Sequence, residues 1–199
     1  MERNGNFVYS WTPKLFSRFY TFALYGSKLY LYKDSGLAAS QIIAYDKFSG
    51  LQVGPSVVLA GSVSARTSKI SGEANCIYVL GDFNTANGLT RKYYVKIDTA
   101  TLLVNPWVSP TTVNSNMNGL HVYKGKAYMW GAKNNTVVIY ALDTGITLNV
   151  DTLFPKVHNG TVQGIYVWND SLYVWGYFDS IQGYTRHNFY QVNLNTKLV

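Results

Sequence analysis

Four short segments of this chain can be laid over one another on a tyrosine. They are Lys28-Leu29-Tyr30-Leu31-Tyr32, Cys76-Ile77-Tyr78-Val79-Leu80, Lys126-Ala127-Tyr128-Met129-Trp130 and Ser171-Leu172-Tyr173-Val174-Trp175. The tyrosines lie 48, 50 and 45 residues apart. Self-similarity at this period marks an array of small supersecondary units. Each unit cannot bury its own apolar surface and has to stack on the next.

The surroundings of each segment say what the unit is. A strand-like run comes first (19–25, 67–73, 120–123 and 162–168), and a turn dipeptide joins it to the tyrosine strand: Gly26-Ser27, Ala74-Asn75, Lys124-Gly125 and Asn169-Asp170. All but Ala74-Asn75 carry strong hairpin-turn chemistry. A loop and a third strand follow (41–45, 93–97, 137–142 and 189–192), and each third strand runs into a turn opened by Asp46, Asp98, Asp143 or Asn193. An Asp or Asn there can bond the backbone two residues on. Fourth strands are expected at 55–59, 106–108 and 152–154. The last unit stops at Val199 where its fourth strand should begin, and Asn6-Phe7-Val8-Tyr9-Ser10-Trp11 supplies a matching strand at the other end.

The expected fold is therefore all-β. It is a single-domain β-propeller over residues 1–199 with four blades of four antiparallel strands, at about 18–60, 66–108, 118–155 and 162–199 plus 6–11. The N-terminal strand would complete the last blade and remove an open sheet edge. Two chains sharing an eight-bladed ring, or one segment of a longer array, are alternative uses of the same repeat.

Composition agrees with this fold and excludes others. Hydrophobic residues make up 47% and charged residues only 14%, unlike a disordered or coiled-coil chain. There are 17 Tyr and 17 Gly, which suit strands and tight turns. The single cysteine, Cys76, sits in a strand-like run and reads as a small core residue. No run reaches the ~18 apolar residues of a membrane span, and Met1-Glu2-Arg3-Asn4-Gly5-Asn6 lacks the apolar stretch of a secretory signal. The net charge is +7, but the basic residues are scattered, with pairs such as Arg91-Lys92 the densest clusters. Nucleic acid is not the expected partner. Binding through that charge would collapse with salt.

The second and fourth units carry a longer pattern. One reads Ile77-Tyr78-Val79-Leu80-Gly81-Asp82-Phe83-Asn84-Thr85-Ala86-Asn87-Gly88-Leu89-Thr90-Arg91. The other reads Leu172-Tyr173-Val174-Trp175-Gly176-Tyr177-Phe178-Asp179-Ser180-Ile181-Gln182-Gly183-Tyr184-Thr185-Arg186. This resembles the delta-sixty β-propeller repeat of bacterial surface and secreted proteins, a Leu-Tyr strand, Gly-Gly-x-Phe, an Asn-Gly turn and an Arg before the next strand. Leu80 and Trp175 stand where the family has its first Gly. The resemblance implies a propeller and says little of activity, because such folds host unrelated functions.

The chemistry-bearing residues point away from catalysis. Sugar hydrolysis needs two placed carboxylates, and each of the ten acids has a plausible place in a turn, hairpin, loop, linker or terminus. Asp82 with Asp179 is the pair that could meet across a ring. His121, His158 and His187 have no ligand-like spacing, and residues 82–88 lack the spacing of a calcium loop. No phosphate loop or Gly-x-Ser-x-Gly is present. No catalytic residue, metal or cofactor is expected. Arg91 and Arg186 occupy equivalent positions and are expected to bond nearby turn carbonyls, and Trp130, Trp168 and Trp175 are expected to pack between blades.

Two long loops, 81–91 and 176–186, should project from one face. Asp82, Asn84, Asn87, Tyr177, Gln182 and Tyr184 are the candidate ligand-binding residues, because exposed aromatics beside amides suit sugar or protein recognition. The expected function is a non-enzymatic recognition or structural module facing a glycan or protein partner, with a homo-oligomer or larger assembly possible. A phage tail or fibre protein, or another virion or bacterial cell-surface component, is the expected setting. The alternative is a carbohydrate-active enzyme on the same scaffold.

Overall fold

The computed structural model describes residues 19–34, 39–61, 69–108, 117–133, 136–143, 150–151, 157–181 and 184–196. The regular elements among them are β-strands: β1 (Phe19–Tyr25), β2 (Lys28–Asp34), β3 (Ala39–Asp46), β4 (Val57–Ala60), β5 (Lys69–Glu73), β6 (Cys76–Leu80), β7 (Thr85–Ala86), β8 (Leu89–Thr90), β9 (Tyr94–Asp98), β10 (Met117–Tyr123), β11 (Lys126–Lys133), β12 (Thr136–Asp143), β13 (Val150–Asp151), β14 (Val157–His158), β15 (Thr161–Trp168), β16 (Ser171–Tyr177), β17 (Ser180–Ile181), β18 (Tyr184–Thr185) and β19 (Phe189–Asn193). No helix among these residues is long and apolar enough to cross a membrane.

The same antiparallel meander occurs four times, as β1-β2-β3, β5-β6-β9, β10-β11-β12 and β15-β16-β19. Tyr30, Tyr78, Tyr128 and Tyr173 all fall on the middle strand, opposite Ala44, Lys96, Ala141 and Gln191. The first strands stand side by side in chain order, β1 by β5, β5 by β10 and β10 by β15. No sheet closes on itself among the described residues.

Local backbone chemistry explains the meanders. The inner turns Ala74-Asn75 (φ 49° and 60°), Lys124-Gly125 (46° and 73°) and Asn169-Asp170 (47° and 57°) place both central residues in the left-handed region. That is the type I′ geometry whose twist matches two paired strands. Asn, Asp and Gly accept it readily, whereas Ala74 carries a Cβ with no polar group to compensate.

At the far end of the meander, Asp98 Oδ1 accepts from the N–H groups of Ala100 and Thr101 at 2.9 and 2.7 Å and from Thr101 Oγ1 at 2.9 Å. Asp46 does the same with Phe48 and Ser49, and Asn193 with Asn195 and Thr196. The two ends are then tied together, as Lys47, Thr99 and Leu194 donate their N–H to the carbonyls of Ser27, Asn75 and Asp170.

Apolar side chains fill the gaps between meanders. Tyr30, Tyr32, Ile42 and Leu59 of the first pack on Ile77, Val79, Val95 and Ile97 of the second. Tyr78, Leu80 and Tyr94 of the second pack on Leu120, Val122, Ala127 and Met129 of the third. Tyr128 and Trp130 of the third pack on Ile165, Val167, Leu172 and Val174 of the fourth. Each middle strand thus sends its tyrosine forward and its aliphatic residues back, the period-two alternation of a strand buried on both faces.

A hydrogen bond crosses each of these junctions at the end of the first strand. Tyr25 Oη accepts from the Asn75 N–H at 2.9 Å, Glu73 Oε2 from the Gly125 N–H at 2.9 Å, and Tyr123 Oη from the Asp170 N–H at 3.4 Å.

Two glycines are required by a close approach. Gly119 faces Trp130 across the β10–β11 ladder and Gly164 faces Trp175 across β15–β16. A Cβ on Gly119 would lie 1.7 Å from the Trp130 ring, and one on Gly164 2.1 Å from that of Trp175. In both strands the register shifts just before the glycine, a bulge that lets the indole lie over the bare backbone.

Several expectations need correcting. Residues 106–108 form no strand. Pro106 has no N–H to give a ladder, and Trp107 turns inward, edge-on to Tyr94 with ring centres 4.9 Å apart. The second meander is met instead by the single bridge Ile97 to Val104. Four strands in every unit are therefore not observed. Trp168 and Trp175 are exposed, not packed between units, although Trp130 is buried. The expected strands 6–11 and 152–154, the turn at 144–145 and Gln182 lie outside the described residues.

Two substitutions test this account. Ala74→Gly should raise stability by about 0.5–1 kcal/mol, the relief of a left-handed alanine less the entropy of the added glycine. Gly119→Ala should lower it by about 3 kcal/mol, because the Trp130 ring must leave its seat. Chemical denaturation would check both. Equal stability of Gly119→Ala and wild type would remove the packing argument.

Candidate recognition site

The two long patterned loops are not free projections. Each is a small β-hairpin clipped to the sheet of the preceding meander. β7 pairs with β4 (Leu59 opposite Ala86) and β17 pairs with β14 (Val157 opposite Ile181). β8 and β18 fold back on β7 and β17.

The pattern of the sequence explains each clip. Phe83 and Ala86 in one, and Phe178 and Ile181 in the other, are the buried anchors. In the first clip Asn87 and Gly88 turn the chain at φ 47° and 78°. The ends are fastened alike. Arg91 N–H donates to the Asn84 carbonyl and Arg186 N–H to that of Asp179. Tyr93 and Asn188, both left-handed at φ 64° and 65°, donate to the carbonyls of Phe83 and Phe178.

The candidate residues fall into two groups on two different sheets. Asn87 has a structural task, with its Oδ1 accepting from the Val58 N–H at 2.8 Å while its own N–H donates to the Val58 carbonyl. The exposed Asn84 donates its N–H to Ala60, and Asp82 lies half-buried just ahead of it. At the other clip Tyr177, the last residue of β16, and Tyr184 of β18 project into solvent, with Tyr184 held opposite Ile181. Beside them Asp179 Oδ1 is 4.0 Å from His187 Nδ1, with both side chains mostly in water. An exposed pair at that distance contributes little.

The arginines behave as expected. Arg91 is buried and its guanidinium donates to the carbonyls of Thr90, Asn105 and Pro106. Arg186 donates to the Thr185 carbonyl and stays exposed.

Other groups with chemical potential are engaged in the scaffold. Asp170 pairs with Lys124 at 2.7 Å. Burial pushes the Cys76 thiol up and holds His121 below its ordinary value; Cys76 is buried in the core and His121 is half-buried, tilted against Tyr166. Among the described residues no three His, Cys, Asp or Glu side chains converge to hold a metal.

What sequence reasoning missed is the exposed aromatic face of β15, β16 and β19, bearing Tyr166, Trp168, Trp175 and Phe189. One signal was available. Trp168 stands where Tyr25, Glu73 and Tyr123 bring an oxygen to the next turn, and an indole can only donate.

No family model matches the chain, and no curated protein matches it. Among solved structures it is similar to the computationally designed Ika4 protein, with a TM-score of 0.58 and 11% identity, over 92% of this chain and 96% of that one. It is also similar to a prolyl endopeptidase structure, with a TM-score of 0.51 and 11% identity, over 86% of this chain but only 24% of that one. Likeness at this identity concerns the fold alone.

The carboxylates yield a pH test. Asp46 and Asp98 are held below the usual carboxylate range, chiefly by the N–H groups of Ser49 and Thr101 and then by their hydroxyls. A carboxylate lowered by folding adds stability above its unfolded pKa of about 4 and loses it as pH falls through the folded value. The melting temperature should therefore fall below about pH 4. Asp98→Asn keeps the acceptor, as Asn193 does, and should show a shallower acid loss. An unchanged acid profile would remove Asp98 from the account.

Proposed function

We propose that this chain is a non-enzymatic recognition module built on a propeller of four blades per chain, presenting the β17–β18 clip to a glycan. The repeated meander, with first strands side by side and apolar faces packed in series, supports the propeller. The Gly-x-Phe and Arg positions of the two clips, each with a defined structural task, support the likeness to delta-sixty repeats. A phage virion or bacterial surface component is the setting that fits a rigid, tyrosine-rich display scaffold.

The observation that carries the glycan reading is the pair Tyr177 and Tyr184, both exposed, one at the end of β16 opposite Thr161 and the other on β18 of the fastened clip. Aromatic faces held in place stack on sugar rings without first losing loop entropy. The six candidate residues are not one site in this reading. Tyr177 and Tyr184 are the recognition residues, Gln182 lies outside the described residues, and Asn87 holds the other clip in place.

A glycan array followed by titration tests the proposal. Saturable binding without turnover is expected, with Kd rising roughly tenfold for Tyr177→Ala and for Tyr184→Ala. Cleavage of the bound glycan would favour a carbohydrate-active enzyme and direct attention to Asp179. Binding unaffected by either substitution would move the site elsewhere.

A further inference from the structure

The two clips are built alike and equipped differently. Aligned on their glycine and phenylalanine, Tyr177 and Tyr184 of the fourth unit stand where the second has Asp82 and Leu89, and Arg186 stands where the second has Arg91. Arg91 is buried, and its guanidinium is taken up by the carbonyls of Thr90, Asn105 and Pro106. Arg186 is exposed, and among the described residues its guanidinium is bonded to the Thr185 carbonyl, at 3.0 Å from one terminal nitrogen. A guanidinium carries five N–H donors in a planar fork. One carbonyl therefore leaves most of that fork to offer to a ligand.

The backbone sets Arg186 between the two tyrosines. It follows Tyr184 by two residues, and its N–H donates to the carbonyl of Asp179, two residues beyond Tyr177. Asn188 bonds the same run of chain twice, giving its N–H to Phe178 and taking that of Gly176. The nearby acid does not neutralise Arg186. The ion pairs among the described residues join Lys124 to Asp170 and His187 to Asp179, so the Asp179 carboxylate lies by His187. On the far side of Tyr177, Thr161 faces it across the ladder, and Gln163 Nε2 donates to Thr161 Oγ1 at 3.3 Å, both residues exposed.

We propose that this clip recognises an acidic glycan, with the Arg186 guanidinium holding a sugar carboxylate while Tyr177 and Tyr184 stack on the sugar rings. The proposal rests on the glycan reading of the clip and names the class of sugar. A planar fork matches a carboxylate through two parallel N–H···O bonds, which a neutral hydroxyl cannot reproduce. The Gln163 amide and Thr161 hydroxyl supply neutral partners for sugar hydroxyls. The chain's net charge of +7 adds a field that favours an anion over a neutral ligand.

Titration calorimetry of the whole chain tests this with glucuronate-terminated and sialylated oligosaccharides, the same compounds methyl-esterified at the carboxyl group, and sulfated neutral oligosaccharides. The free acids should bind roughly tenfold tighter than their esters, and the gap should narrow between about 20 and about 500 mM salt as screening rises. Arg186→Gln should raise the Kd of the acids roughly tenfold and leave that of the esters within about twofold. Lys47→Gln, which removes one exposed cation from the first meander, should leave the preference for acids intact.

Equal binding of acid and ester by the wild type would overturn the proposal, and that comparison needs no variant to fold. So would an Arg186→Gln variant, folded by circular dichroism, that keeps the preference. A loss as large in Lys47→Gln would trace the preference to net charge and overturn the role of Arg186. Tighter binding of the sulfated sugars would overturn the carboxylate. Ester binding that depends on Tyr177 and Tyr184, with no gain for the acid, would overturn this inference and leave the recognition reading standing. Absence of binding to every glycan would overturn both.

Discussion

The structure depends on one contact made three times, a tyrosine-bearing face of one meander seated on the aliphatic face of the next. Tyr30, Tyr78 and Tyr128 are buried in these contacts, and each brings a large apolar area into a gap lined by Ile, Val, Leu or Met. A three-stranded meander alone exposes both faces and is marginal in water. Stacking turns that liability into the core, and it explains why the strands need apolar residues at every position. β6, Cys76–Leu80, is buried throughout its length.

The turns and clips serve that contact. The inner hairpins point their second-turn N–H groups at an oxygen on the preceding meander, which fixes the height of one meander against the next. The clips act at the other edge. β7 and β17 add to the short outer strands β4 and β14 and bury Ala86 and Ile181 against them. An exposed sheet edge is a hazard for unwanted pairing, and the clip covers it with chain from the following meander. Asn87, which looked like a ligand-binding amide, is occupied with Val58 in this task.

Stacking leaves an aromatic sheet face on the fourth meander and two tyrosines, Tyr177 and Tyr184, exposed among the described residues. The exposed Trp175 occupies the same strand position as the buried Trp130. Tyr177 and Tyr184 differ in kind. Tyr184 sits on the clip strand β18 and Tyr177 at the end of β16 opposite Thr161, and both are exposed.

Much of this was legible in the chain itself. The tyrosine spacing, the turn dipeptides and the Asp or Asn after the third strands located the four middle strands, the inner hairpins and the Asx turns at Asp46, Asp98 and Asn193. All of these depend on residues close in sequence, whose backbone preferences are local. The sequence also placed Cys76 in the core and Arg91 on nearby turn carbonyls.

Tertiary structure decided the rest. The docking of residues 81–91 on β4 joins chain some 25 to 29 residues apart, and no local pattern states that distance. Trp130 and Trp175 occupy the same place in the repeat, over the same glycine, with opposite exposure. Trp130 packs on the fourth meander, and among the described residues no core cluster takes in Trp175. Burial is a property of neighbours in space, and a repeating sequence writes the same residue for a filled junction and an open one.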